Sequence, residues 1–214
     1  MGNLQKRILT SLGLLSLVLL IFNFNLILVY VLIVLGVVSI LEFLQITKKI
    51  IKNNLRLTAV NFFFIFYAIT YCFLFFLFTN ISGLKIILFI LLIGCVASDI
   101  GGFIFGKLFK GPKITKISPN KTYAGSIGSI LSTTLIVSFL FMFYLQNFNY
   151  KIILIAITTS IFCQLGDLFF SYLKRKAKLK DTGKFFPGHG GVLDRLDGIF
   201  LGIPFGFLTL ILLN

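Results

Sequence analysis

Apolar runs close to twenty residues long recur down this chain, parted by short polar segments. Seven of them stand at roughly 7–22, 25–45, 57–79, 84–108, 122–146, 150–173 and 197–213. About twenty apolar residues wound as a helix cross the ~30 Å of hydrocarbon in a bilayer. The pattern therefore predicts an all-α fold, a polytopic integral membrane helical bundle of about seven transmembrane helices. The first run is short enough to resemble a signal peptide. It lacks a small-residue cleavage site, and a second run follows directly after Asn23–Asn25, so a retained helical hairpin is expected. No soluble domain, low-complexity tail or internal repeat stands out. The chain reads as one transmembrane domain over 1–214, with a helical hairpin and basic loop at 1–56 and the chemistry carried by 57–214.

Composition narrows the class. Hydrophobic residues make up 58% of the chain and charged ones 12%, where a soluble domain carries about a quarter charged. Cys72, Cys95 and Cys163 all fall in apolar runs, at spacings that suit neither a metal site nor a disulfide framework, and read as small buried hydrophobes. A net charge of +14 would suit nucleic acid, but its placement has another account. With a cytosolic N-terminus and seven alternating helices, eighteen of the twenty Lys and Arg lie on inside segments; only Lys85 and Lys151 lie outside. That asymmetry sets the orientation, and the anionic lipids of the inner leaflet are partner enough. No nucleic-acid partner is expected.

The acids are few: Glu42, Asp99, Asp167, Asp181, Asp194 and Asp197. Asp99 lies eight residues before Lys107, about 12 Å inside the cytosolic end of its helix, and Asp167 lies seven before Lys174, about 10 Å inside. A carboxylate at such depth costs roughly 2.5–3.5 kcal/mol and needs a partner or a wet cavity. Pairing with a lysine to lock helices is one account; a shared cation site is the favoured one. Glu42, at the cytosolic end of the second run, reads as an interfacial or packing residue.

Residues 174–198, KRKAKLKDTGKFFPGHGGVLDRLDG, gather basic, acidic and glycine residues between two apolar runs. Asp167, Ser171 and Lys174 are spaced i, i+4, i+7 on one helical face, and Asp194 and Asp197 are spaced i, i+3. Carboxylates with one histidine and no cysteine cluster suit a hard cation such as Mg²⁺ rather than zinc. The Gly-rich PGHGG turn offers backbone N–H groups to a phosphate. Lys174, Arg175, Lys180 and Arg195 add positive charge, so the stretch reads as a metal-and-phosphate site. In the loop 106–125, Ser118-Pro119 predicts a helix start with Ser118 as cap and Lys121 and Thr122 in the first turn, its N–H groups aimed at an anion.

These residues carry a resemblance. The run Ser171–Asp197 resembles the signature of the phosphatidate cytidylyltransferases, or CDP-diacylglycerol synthases: Ser-x-apolar-Lys-Arg, then Lys-Asp, then His-Gly-Gly-apolar-x-Asp-Arg-apolar-Asp, with every position met. Gly166-Asp167, the SPNKT loop (118–122) and Asp99 extend the likeness to roughly residues 95–200, and LEF (41–43) is a weaker echo of the family's N-terminal hairpin. The resemblance implies transfer of the cytidylyl group of CTP to phosphatidic acid, giving CDP-diacylglycerol and pyrophosphate. It implies Mg²⁺, as one or two cations held among Asp167, Asp194, Asp197 and Asp99, with a monovalent second ion left open. Catalysis then falls to Asp194, Asp197, Asp167, Lys174, Arg195 and His189, the last as a donor to pyrophosphate or a proton shuttle. Substrate contacts fall to Ser118, Lys121, Thr122, Ser171, Arg175, Lys180, Asp181, Gly190 and Gly191. CTP would arrive from the cytosol and the lipid sideways from the inner leaflet of a bacterial-type inner membrane, with the site facing the cytosol. Small residues in the runs leave a homodimer open.

The chain also departs from that family. Lys121-Thr122-Tyr123-Ala124-Gly125 stands where its members often have Lys-Thr-Trp-Glu-Gly, and Gly102-Phe103 where they often have Ala-Tyr. Its N-terminal half is short against the eight or nine spans common in the family. The alternatives are another CTP-dependent lipid transferase, a polyprenol or phytol kinase on a similar scaffold, and a cation transporter using the intramembrane acids. A transporter would show paired repeats with broken helices, and none are seen.

Overall fold

The computed structural model describes residues 13, 16–115, 118, 121–146, 149–183, 185–186 and 190–213. Residues 16–23 are helical, and seven helices follow: α1 (Asn25–Ile50), α2 (Asn54–Thr79), α3 (Ser82–Phe109), α4 (Tyr123–Leu145), α5 (Tyr150–Lys176), α6 (Leu193–Leu196) and α7 (Ile199–Leu213). Among the described residues, β-pairing is limited to two isolated bridges, Lys113 with Thr122 and Phe186 with Gly190. Six segments are long and apolar enough to cross a membrane: α1 to α5, and Leu193–Leu213. They match the second to seventh expected runs; half of the first, 7–22, falls outside the described residues. At 26 residues α1 and α2 are each about 39 Å long, ample for a span.

Local chemistry places the ends. The Asn53 side chain accepts from the backbone N–H of Leu55 and Arg56, at 3.0 and 3.3 Å, and so starts α2. Lys110 (φ 41°) and Gln146 (φ 48°) take the left-handed conformation that closes α3 and α4. One expected boundary is corrected. Thr122, not Ser118, caps α4, its hydroxyl accepting from Gly125 N at 3.1 Å. The cause is the pairing of the flanking backbone: Ile114 N donates to Lys121 O and Tyr123 N to Pro112 O. That pairing holds Thr122 extended (φ −118°, ψ 156°), so the helix begins only at Tyr123 and Lys121 precedes it.

The chain divides into two compact units. The first takes in residues up to Thr79 together with Leu173–Leu196; the second is Asn80–Tyr172 together with Asp197 onward. In the first, Phe43 of α1 stacks on Phe64 of α2 with centroids 3.7 Å apart, and Thr47 Oγ1 donates to Asn61 Oδ1 at 2.8 Å. In the second, α3 and α4 meet through small residues. A Cβ on Gly101 would sit 2.8 Å from Gly128 O, and one on Gly125 would sit 2.7 Å from Gly102 O. Such approach of backbones substitutes for the hydrophobic drive that hydrocarbon does not provide. Phe162 of α5 stacks on Phe205 of α7 at 3.6 Å. Large apolar side chains such as Phe62, Phe66, Leu135 and Phe139 point outward, a surface suited to lipid rather than water.

Candidate functional site

The signature residues Lys174, Thr182, Gly191, Val192 and Leu193 lie in the first unit and converge on two carboxylates. Asp194, in α6, accepts from Lys174 Nζ at 2.7 Å on one oxygen and from Thr182 N (2.8 Å) and Gly191 N (3.0 Å) on the other. Both side chains of the ion pair are about nine-tenths buried. Glu42, from α1, accepts from Thr182 Oγ1 at 2.6 Å, Leu193 N at 2.8 Å and Val192 N at 3.0 Å. Three successive N–H groups, 191 to 193, are therefore satisfied by carboxylates. Leu193 N is a first-turn donor of α6 with no partner within the helix, and Gly191 and Val192 lead into it. Glycine is needed where the oxygens come close: a Cβ on Gly191 would sit 2.5 Å from both Glu42 oxygens, and Gly190 (φ +85°) lies 2.7 Å from Asp194 Oδ2 on the same construction.

This arrangement differs from the expectation in two respects. The Gly191 N–H, expected to face a phosphate, donates to Asp194. Lys174, expected to hold a phosphate, is a buried partner of the same carboxylate. Arg175, Lys180, Asp181 and Arg195 are exposed, and Arg175 Nη1 donates to Leu179 O at 3.3 Å. His189 lies outside the described residues.

The second unit holds a cavity of about 250 Å³ whose lining includes Asp99, Asp167, Lys121, Thr122 and Ser118. Five residues that the sequence singled out separately thus face one space. Asp167 forms an ion pair with Lys121 through one oxygen and accepts from Ser171 Oγ at 3.2 Å through the other. Asp99 is approached by the Cys163 thiol at 4.0 Å. Asp197 is buried and accepts from Gly198 N at 2.9 Å. Among the described residues, no three His, Cys, Asp or Glu side chains gather as a metal cage.

Sequence reading missed the polar side of this cavity. Ser98, Ser126, Ser129 and Gln164 also line it. Ser126 Oγ donates to Gln164 Oε1, Gln164 Nε2 donates to Ser160 Oγ at 3.3 Å, Ser160 and Ser98 hydroxyls lie 3.0 Å apart, and Ser129 Oγ donates to Ser98 O at 2.7 Å. The available signal was the run of Ser and Gly within α3 and α4, which reads equally as helix packing. Glu42, read from the sequence as an interfacial or packing residue, instead accepts three signature donors. It is the chain's one glutamate, and that rarity was its signal.

Comparison with known proteins bears on what such a site does. Residues 4–213 match the model of the cytidylyltransferase family. A phosphatidate cytidylyltransferase of Rickettsia bellii is 45% identical over 117 residues, covering 51% of this chain and 51% of that protein. The one from Rickettsia felis is 41% identical over 133 residues, covering 58% and 59%. The one from Staphylococcus epidermidis is 36% identical over 169 residues, covering 77% and 64%. The aligned segments thus span less than two thirds of these relatives' own length.

Proposed function

The chain belongs to the cytidylyltransferase family, and on that premise we propose that it transfers the cytidylyl group of CTP to phosphatidic acid, yielding CDP-diacylglycerol and pyrophosphate. The observation that carries the reading is the polar cavity of the second unit. It combines two carboxylates, a lysine, several hydroxyls and a carboxamide within helices of strongly apolar mean composition. A polar lining at membrane depth is expensive unless a charged ligand uses it.

In-line attack of a lipid phosphate oxygen on the α-phosphorus requires no protein nucleophile; positioning and charge neutralisation suffice. Among the described residues lining the cavity Lys121 is the cation, and its partner Asp167 keeps it oriented there. Asp99 and Asp167 suit Mg²⁺, which is commonly held by one or two carboxylates plus substrate phosphates and not by an all-protein cage. When bound, the ion would supply positive charge to phosphate oxygens. Ser118, Thr122 and Ser126 supply donors for the remaining oxygens. In the first unit, the exposed guanidinium groups of Arg175 and Arg195 are by themselves suited to bidentate grip of a phosphate. The membrane in question is a bacterial inner membrane with the site facing the cytosol, a placement supported by the lysine and arginine asymmetry.

The test is incorporation of radiolabelled CTP by the purified chain, with phosphatidic acid as acceptor, with and without Mg²⁺, and with a polyprenol in a parallel reaction. Magnesium-dependent label in a CDP-lipid with release of pyrophosphate is expected. Transfer of label or phosphate to the polyprenol alone would replace the reading, and label remaining in CTP with a folded protein would end it.

A further inference from the structure

We propose that Glu42 is a positioning residue that clamps the signature segment at Thr182 and at residues 191–193, so that Asp194 and Lys174 are held in one geometry. Glu42 belongs to α1, yet its hydrogen-bond partners Val192 and Leu193 lie 150 and 151 residues further on. It is 5% exposed and is the one carboxylate of a predominantly apolar helix. A carboxylate in such surroundings stays only if its oxygens are satisfied, and three donors of the signature segment do this.

Thr182 transmits the constraint. Its hydroxyl donates to Glu42 Oε2 while its own backbone N–H donates to Asp194 Oδ2. Gly191 closes the same circuit from the other side. Its N–H donates to Asp194, and its missing side chain is the space that the Glu42 oxygens occupy. Each carboxylate thus fixes a segment of backbone that the other also holds. Moving Glu42 would release the donors at 182, 192 and 193 together and loosen the frame around Asp194. Glutamine cannot replace it, because its amide nitrogen would oppose one of those donors with a donor of its own.

This inference rests on the proposed cytidylyl transfer only for its kinetic consequence; the clamp itself is read without activity. The experiment uses the full chain purified in detergent, as wild type, Glu42→Gln, Thr182→Val and Thr182→Ser. Limited trypsin digestion reads cleavage after Lys176, Lys178 and Lys180, with cleavage after the exposed Lys107, Lys110 and Lys113 as the internal reference. Loss of a clamp raises local opening and not global unfolding. Glu42→Gln and Thr182→Val should raise relative cleavage of the 176–180 segment about tenfold, while Thr182→Ser, which keeps the hydroxyl, stays at the wild-type rate. In the CTP assay the first two should lower kcat about tenfold or more with little change in KM for CTP, and Thr182→Ser should restore it. If Glu42→Gln does not fold, Thr182→Val against Thr182→Ser decides. Unchanged cleavage in folded Glu42→Gln and Thr182→Val overturns the clamp, as does Thr182→Ser behaving like Thr182→Val. A wild type that cuts as expected but makes no CDP-lipid overturns the proposed function and leaves the clamp standing.

Discussion

The pair Lys174–Asp194 is the clearest case of a residue whose surroundings set its role. Both charges are largely out of water, so their mutual contact and the two backbone N–H donors on Asp194 are what keep them tolerable there. Removing one partner strands the other, at a cost of about 3–5 kcal/mol. Lys174→Met and Asp194→Asn should each lower the thermal midpoint of the purified chain, and the double Lys174→Met/Asp194→Asn, which keeps an acceptor for Thr182 N and Gly191 N, should unfold above either single variant. All three should lose turnover if the signature carries the proposed reaction. A double variant no more stable than the singles would mean that the pair is not acting as a pair. Gly191→Ala belongs to the same scale. Its methyl group would press on both Glu42 oxygens, and it should cost about 1–3 kcal/mol by the same thermal measurement.

Among the elements, the interface of α3 with α4 is decided by what is missing from its side chains. A Cβ on Gly102 would lie 2.5 Å from Ser129 Oγ, and one on Gly94 would lie 2.7 Å from Val137 Cγ2. Gly101→Leu should therefore force the two helices apart and destabilise the chain, whereas Gly83→Ala in α3, with nothing within 4 Å, should leave the thermal midpoint unchanged or slightly raised. Equal effects from the two would remove the close-packing argument. The same helices carry the cavity's Ser98, Ser126 and Ser129, with Gln164 added from α5. This is why their role was illegible in one dimension: a small residue in a membrane helix serves packing and polar contact alike, and only the neighbour tells which. The start of α4 shows a similar limit. Ser118-Pro119 is a sound capping pattern, but a backbone pairing between 112–114 and 121–123 outweighs it. Thr122→Ala should cost about 1 kcal/mol as a lost cap; no change in thermal stability would contradict the assignment.

For the whole molecule, the charge asymmetry makes a prediction about sidedness. In intact cells an impermeant maleimide should label Asn80→Cys, in the α2–α3 turn, and spare Ser118→Cys until the membrane is opened. The native cysteines lie within apolar spans and should keep the background low. Labelling of Ser118→Cys in intact cells would invert the orientation and with it the cytosolic placement of CTP.

The amino-acid pattern by itself determined the class of the protein, the positions of six spans, and the residues where charge is too costly to be incidental. It could do so because hydrocarbon imposes one rule on every residue: backbone must be helical and charge must be accounted for. It also marked Asp99, Asp167, Ser118, Lys121 and Thr122 one by one. Only the fold shows that these five share a cavity, because α3, α4 and α5 must pack before their polar faces meet. Only the fold, too, commits Lys174 to Asp194 and turns Glu42 from a packing residue into the acceptor of three signature donors. Hydrogen-bond partners 150 residues apart leave no periodicity in the chain, so no pattern along the sequence could announce them.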